Sequence, residues 1–193
     1  MGMNKIMVIV IALWGVLALA PSTVLSASAK SSYVNIKLHD LDVLDQDGKR
    51  LKFKSNAIGD KIVAITFTYT NCTTICPVLD SIFSKMQSLI GQQLGKDIGL
   101  ITISIDPLND SPARLKQHAA KLKAKPGWTF LTGKKQDIDK VLYGLDAYAP
   151  DIYNHPPMVF VGDGRTNVWK RLYGFPSGEK IMTVIREFEN ARK

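Results

Sequence analysis

The chain has 193 residues, with 25 Lys and Arg against 17 Asp and Glu, for a formal net charge of +8. That length makes one ordinary domain with enough chain to bury a proper core. The basic excess points to acidic partners, an anionic membrane surface or the acidic face of another protein, and in an exported chain it argues against nucleic acid.

The order of elements begins with residues that address the chain. Residues 1–5 are short and basic, residues 6–20 are uncharged and mostly apolar, and Ala27-Ser28-Ala29 supplies a small-x-small cleavage site before Lys30. This reads as a secretory signal over residues 1–29, leaving residues 30–193 as a single domain in the periplasm. The apolar run is shorter than the roughly 20 residues of a spanning helix, so the alternative is an uncleaved, tilted anchor on the outer face of the inner membrane. The Lys-rich stretch 116–125 reads as the solvated face of a helix.

Residues 34–39 alternate apolar and polar, and a turn at Asp45-Gln46-Asp47-Gly48 precedes residues 51–54, which predicts an N-terminal hairpin. Residues 62–68 form the first buried strand. Pro77 at a first helical position opens a helix to about Leu94, with Val78, Ile82, Phe83, Met86, Leu89 and Ile90 at near 3.6 spacing and Gly95 behind it. Residues 98–105 give a second buried strand, and Asp110-Ser111-Pro112 caps a helix to about Lys123. A short strand at 128–131, a helix over 136–148, strands at 158–161 and 169–173 around a Gly162-Asp163-Gly164 turn, and a helix from the Ser177 cap to Arg192 complete the chain. Helices alternating with strands, then a hairpin, call for an α/β fold: a central mixed sheet with helices on both faces. Two parallel crossovers followed by an antiparallel hairpin make the arrangement thioredoxin-like, here with the N-terminal hairpin as an extension.

The only two cysteines, Cys72 and Cys76, stand in Cys72-Thr73-Thr74-Ile75-Cys76-Pro77, between the first buried strand and its helix. Open α/β sheets place their sites at this strand edge, and a helix N-terminus lowers the pKa of a nearby thiol. A structural disulfide is the ordinary reading of a cysteine pair in an exported protein. This one would close too small a loop to constrain the unfolded chain much. Two chemistries remain. The pair cycles between dithiol and disulfide, or it clamps a soft metal, and two thiolates with one imidazole suit Cu(I), or Cu(II) with a fourth group.

The metal reading needs a histidine. His39 falls on a polar step of the first alternation and reads as a surface residue, and His118 lies in the Lys-rich helix and reads as solvated. His155, in the loop Asn154-His155-Pro156-Pro157 before a buried strand, lies in this fold across from the start of the cysteine helix. Met158 behind it is a soft atom of the strand, more at home in the core than as a fourth ligand.

Taken together, Cys72-Thr73-Thr74-Ile75-Cys76-Pro77, Ser104-Ile105-Asp106-Pro107 through Asp110-Ser111-Pro112, Trp128-Thr129-Phe130-Leu131-Thr132-Gly133 and His155 resemble the Sco/SenC family over roughly residues 35–190. The resemblance implies a thioredoxin fold and copper held by Cys72, Cys76 and His155. It also implies a part in assembling the dinuclear copper centre of cytochrome c oxidase, as a metallochaperone delivering copper to an oxidase subunit or as a reductase of that centre's thiols. Asp106 and Asp110 would shape the site or a docking face, although helix capping explains Asp110 equally well. Asn154 departs from the family, whose members usually have an acidic residue before the histidine, and Pro157 stands where thioredoxin-like oxidoreductases keep a cis-proline. The residues therefore leave three readings open: copper carrier, thiol-disulfide oxidoreductase, and a copper or redox sensor.

Overall fold

A computed structural model describes residues 31–193. The expected signal or anchor at 1–29 lies outside the described residues, and no described helix is long and apolar enough to cross a membrane. Eight strands form one mixed sheet, β1 (Ser31–Val34), β2 (Asp42–Asp45), β3 (Arg50–Lys52), β4 (Ile62–Thr68), β5 (Ile98–Ser104), β6 (Trp128–Thr132), β7 (Met158–Asp163) and β8 (Val168–Tyr173), in the order β1-β8-β7-β4-β5-β6-β2-β3. β4, β5 and β6 run parallel, and β7 and β8 are antiparallel to their neighbours. All seven residues of β4 and of β5 are buried, as continuous apolar runs in a sheet covered on both faces must be.

Four helices cover it: α1 (Cys76–Ile90), α2 (Pro112–Lys121), α3 (Lys135–Gly144) and α4 (Gly178–Ala191). Leu79, Phe83, Met86 and Ile90 of α1 join Leu115 of α2 and Ile181, Ile185 and Phe188 of α4 on one face. Ile138, Val141 and Leu142 of α3 pack on the other face with Phe53, Ile58 and Phe160. Helices thus lie on both faces, as the order of elements required.

The N-terminal hairpin pairs β2 with β3 across the Asp45 to Gly48 turn, so its first strand is 42–45 and not the alternating segment 34–39. Residues 35–41 instead run as a strap across the end of α3, where Lys37 N donates to Gly144 O at 3.0 Å. A Cβ on Gly144 would lie 2.2 Å from Lys37 O, so only glycine admits the strap. Alternation marked a chain buried on alternate residues, but no strand stood beside it to pair with.

Two helices stop earlier than their periodicity suggests. α1 ends at Ile90 because Gly91 turns to φ 63, ahead of the Gly95 stop expected from sequence. α3 ends at Gly144, with Asp146 at φ 54 starting the loop that carries His155.

Candidate metal and thiol site

β4 delivers the cysteine loop to one end of the sheet, and β7, antiparallel to β4, starts at that same end directly after His155. α1 starts at Cys76, Pro77 follows at its first turn, and no side chain caps the helix. Its first N–H groups therefore need another acceptor, and the Cys72 sulfur takes the Cys76 N–H at 3.4 Å. Cys76 is thus the threshold residue of the helix and Cys72 belongs to the loop, as the proline position anticipated. Both are free thiols.

The two thiols are unlike. Burial pushes Cys72 up, but hydrogen bonds from the Cys76 thiol, from the N–H groups of Cys76 and Thr74, and from the Tyr69 hydroxyl outweigh it and hold it at about 7. Burial pushes Cys76 up to about 12, and sharing a hydrogen bond with the more acidic Cys72 adds to the effect. The Tyr69 hydroxyl also rises to about 12, through burial and its bond to Cys72. At neutral pH the half-buried Cys72 is about half thiolate, beside a buried Cys76 that stays protonated.

His155 lines the same cavity as Cys72 and Cys76, together with Phe67, Tyr69 and Met158. Its ring is buried, and Nε2 lies 3.0 Å from Ala147 O. A carbonyl only accepts, so this contact assigns the proton to Nε2 and leaves the lone pair on Nδ1. Burial depresses the imidazole pKa against the opposing pull of the Ala147 and Pro156 carbonyls, which keeps the ring neutral, the form a metal requires. The free volume among these side chains is about 20 Å³, room for one water molecule or one metal ion. Two thiols and a neutral imidazole are the donors a soft copper ion prefers. Their chemistry fits the metal, but they are not preassembled: among the described residues no three His, Cys, Asp or Glu side chains stand close enough together to hold an ion.

The remaining sequence candidates divide. Met158 is buried at the start of β7 within the core and also borders the cavity. Pro157 is preceded by a trans bond, as is every described residue. Asn154 donates to Asp151 at 2.7 Å and so braces its own turn. His39 lies outside any strand, half-buried beside Gly144. His118 corrects the sequence reading. The lysines around it are exposed, but its Nε2 lies 2.9 Å from the buried Asp80 carboxylate of α1, and its ring meets Phe130 edge-on.

Asp110, which the sequence left between capping and shaping the site, and Arg114, which it did not single out, grip the cysteine loop. Asp110 does not cap α2, because Ser111 does, accepting from Arg114 N at 3.4 Å. Asp110 instead takes the Thr70 hydroxyl at 2.5 Å and the Ser104 hydroxyl at 2.6 Å. Arg114 reaches Asn71 Oδ1 at 3.1 Å. The adjacency of Asp110-Ser111-Pro112 to a strand end was the only signal, and it did not name a partner 40 positions away.

The SCO1/SenC family model matches residues 34–189. The chain belongs to the SCO1/SenC family. It is 32% identical over 104 residues to a SCO1 protein homolog of Bacillus subtilis (strain 168), a match that spans 53% of this chain and 52%, about half, of that relative. Among solved structures it is similar to a SCO1/SenC family lipoprotein from Bacillus anthracis str. Ames, at 23% identity and TM-score 0.68 over 83% of this chain and 98% of that one. It is also similar to Bradyrhizobium japonicum ScoI with copper bound, at 22% identity and TM-score 0.63 over 83% and 99%. At these identities the structural likeness shows that the chain has the Sco thioredoxin-like fold.

Proposed function

We propose that this SCO1/SenC protein is an exported copper carrier that holds one copper ion through Cys72, Cys76 and His155 and hands it to the dinuclear copper centre of a cytochrome c oxidase subunit. One observation carries the reading: two free thiols and a neutral, lone-pair-bearing imidazole share a cavity with room for a single ion. Further support comes from the family itself and from a relative of the same fold with copper bound. In this reading copper is cargo, and the Cys72 thiolate is its first contact. Cys76 gives up its proton as it binds, and Nδ1 of His155 supplies the third donor after its loop shifts. The ion's chemistry is that of a soft acceptor, favouring thiolate over carboxylate. The reduced protein is expected to take up one Cu(I) per chain in competition with a chelator. Cu(II) should give a strong sulfur-to-copper charge-transfer band. Failure to hold Cu(I) against a weak chelator overturns the proposal.

One feature favours a second reading, a thiol-disulfide oxidoreductase. A thiolate poised near neutral pH over a protonated partner is how such enzymes divide attack from resolution. The Cys72 thiolate would attack a partner disulfide and release one partner thiolate. Cys76, losing its proton, would then attack Cys72 and release the second. The chain's two thiols become a disulfide, and two electrons pass to the partner. Turnover of a disulfide substrate in metal-free protein, lost in Cys72→Ser, would identify this reading. A partner contact that follows only the metal or redox state would instead mark the third reading, a sensor.

A further inference from the structure

Thr70 and Asn71, the two residues before Cys72, are held from outside the cavity. Asp110 is 1% exposed, and no cation is within ion-pair distance of it among the described residues. A buried carboxylate without a counter-charge is costly unless its oxygens are filled by donors. Here they are. Oδ1 accepts the Thr70 hydroxyl at 2.5 Å, Oδ2 accepts the Ser104 hydroxyl at 2.6 Å, and the Thr70 N–H points at both oxygens from 3.2 Å. Short O–H···O⁻ bonds of this kind are about twice as strong as neutral ones. Ser104 ends β5 and Asp110 precedes α2, so the carboxylate ties the cysteine loop to two elements of the rigid sheet face. Arg114, in the first turn of α2, adds a second strut: one guanidinium nitrogen reaches Asn71 Oδ1 and another reaches Asn109 O, each at 3.1 Å. Within the loop the backbone contributes the Cys72 N–H to Tyr69 O bond at 2.9 Å, which closes a turn but fixes it to nothing outside.

We propose that Asp110 is a positioning residue for the cysteine site: by pinning Thr70 to the ends of β5 and α2, it holds the Cys72 sulfur over the N-terminus of α1, where it meets Cys76. Asp110 touches neither sulfur nor metal. It acts through Thr70, and Arg114 through Asn71 supports it. This deepens the proposed function and rests on it for the copper readout, while the thiol readout stands without copper.

The test uses the full reduced chain with Asp110→Asn, Thr70→Val, Thr70→Ser and, as a control for the start of α2, Ser111→Ala. Asn keeps the shape of Asp110 but removes the charge and offers an NH2 to a donor. Two quantities are read: Cu(I) retention against a chelator, and the rate at which the metal-free dithiol closes to a disulfide with a small disulfide reagent. Asp110→Asn is expected to weaken Cu(I) retention by about 10- to 100-fold, the usual cost of losing an outer partner of a ligand, and to slow closure. Thr70→Val should reproduce both effects in part, and Thr70→Ser, which keeps the hydroxyl, should restore wild-type values. Ser111→Ala should lower Tm alone. If Asp110→Asn lowers Tm as Ser111→Ala does and leaves retention and closure at wild-type values, the proposal is overturned. Should Asp110→Asn fail to fold, wild-type retention and closure in Thr70→Val overturn it equally. If the wild-type protein binds no copper, the function proposal fails by itself, and closure rates across the four variants still decide the role of Asp110.

Discussion

The two loops that meet at the cavity are built in opposite ways. The cysteine loop is tied at every step: Thr70 to Asp110, Asn71 to Arg114, and the Cys72 sulfur to the first N–H of α1. The histidine loop is braced within itself, with Asp151 accepting from Tyr153 N and from Asn154. Its imidazole is bonded to a carbonyl of its own segment, Ala147 O. In the proposed copper reading, the thiols are a preset half-site and the histidine a donor held in reserve, with its proton on Nε2 and Nδ1 free. A site that must both take and release an ion gains from this division. The fixed half captures and the other half closes, so the barrier to release lies in a loop, where local opening costs least.

The largest effect should follow from breaking the fixed half. Cys72→Ser or Cys76→Ser leaves one thiolate, and bound Cu(I) after chelator challenge should fall to background. Retention of wild-type copper by either variant would remove the pair from the site.

The inequality of the thiols gives the next effect. With Cys72 near 7 against an ordinary 9, its thiolate is half formed near pH 7, when an ordinary thiol holds about one part in a hundred, a difference of about 50-fold. The sign follows: the folded state favours the thiolate, so Cys72 contributes stability above pH 9 that is lost as pH falls through 7. Alkylation of the metal-free protein, mapped by mass spectrometry against pH, should rise through about pH 7 at Cys72 while Cys76 stays unmodified. Both thiols rising together near pH 9 would show that they are equivalent.

His155→Ala tests the reserve half. Losing a partner outside the first ring of ligands costs about 10- to 100-fold in metal affinity, so loss of a ligand should weaken Cu(I) retention by at least about 10-fold and abolish or shift the Cu(II) charge-transfer band. An unchanged spectrum would mean that the histidine loop never closes on the metal.

Much of this division was legible in the sequence. A buried strand, Cys72-x3-Cys76, Pro77 and the Ser111 and Ser177 caps are local signals, and each appears in the structure where the chain placed it. Within the alternating segment 34–39, only Val34 belongs to a strand; residues 35–39 were misread as one because period-two burial needs no paired neighbour to arise. Asp110 and His118 were illegible for a different reason. Their meaning lies in Thr70 and Asp80, 40 and 38 positions away, and no local pattern encodes which distant polar group a buried carboxylate will meet.

His118 offers the smallest effect at the site and the sharpest contrast with His155. Both rings are largely withdrawn from solvent, yet His118 faces a carboxylate whose side chain is 4% exposed, while His155 faces a carbonyl beside the thiols. In His118→Ala the Asp80 carboxylate loses its partner and stays buried, which costs about 1–3 kcal/mol. For a chain of this size that lowers Tm by roughly 2–10 °C. Copper retention should not change, because Asp80 lies a full turn beyond Cys76 and α1 is seated by Leu79, Phe83 and Met86, all in the core. A fall in copper retention matching the loss in Tm would mean that the cysteine end of α1 depends on the helix pair for its position, and that the captured half of the site is less rigid than its hydrogen bonds imply.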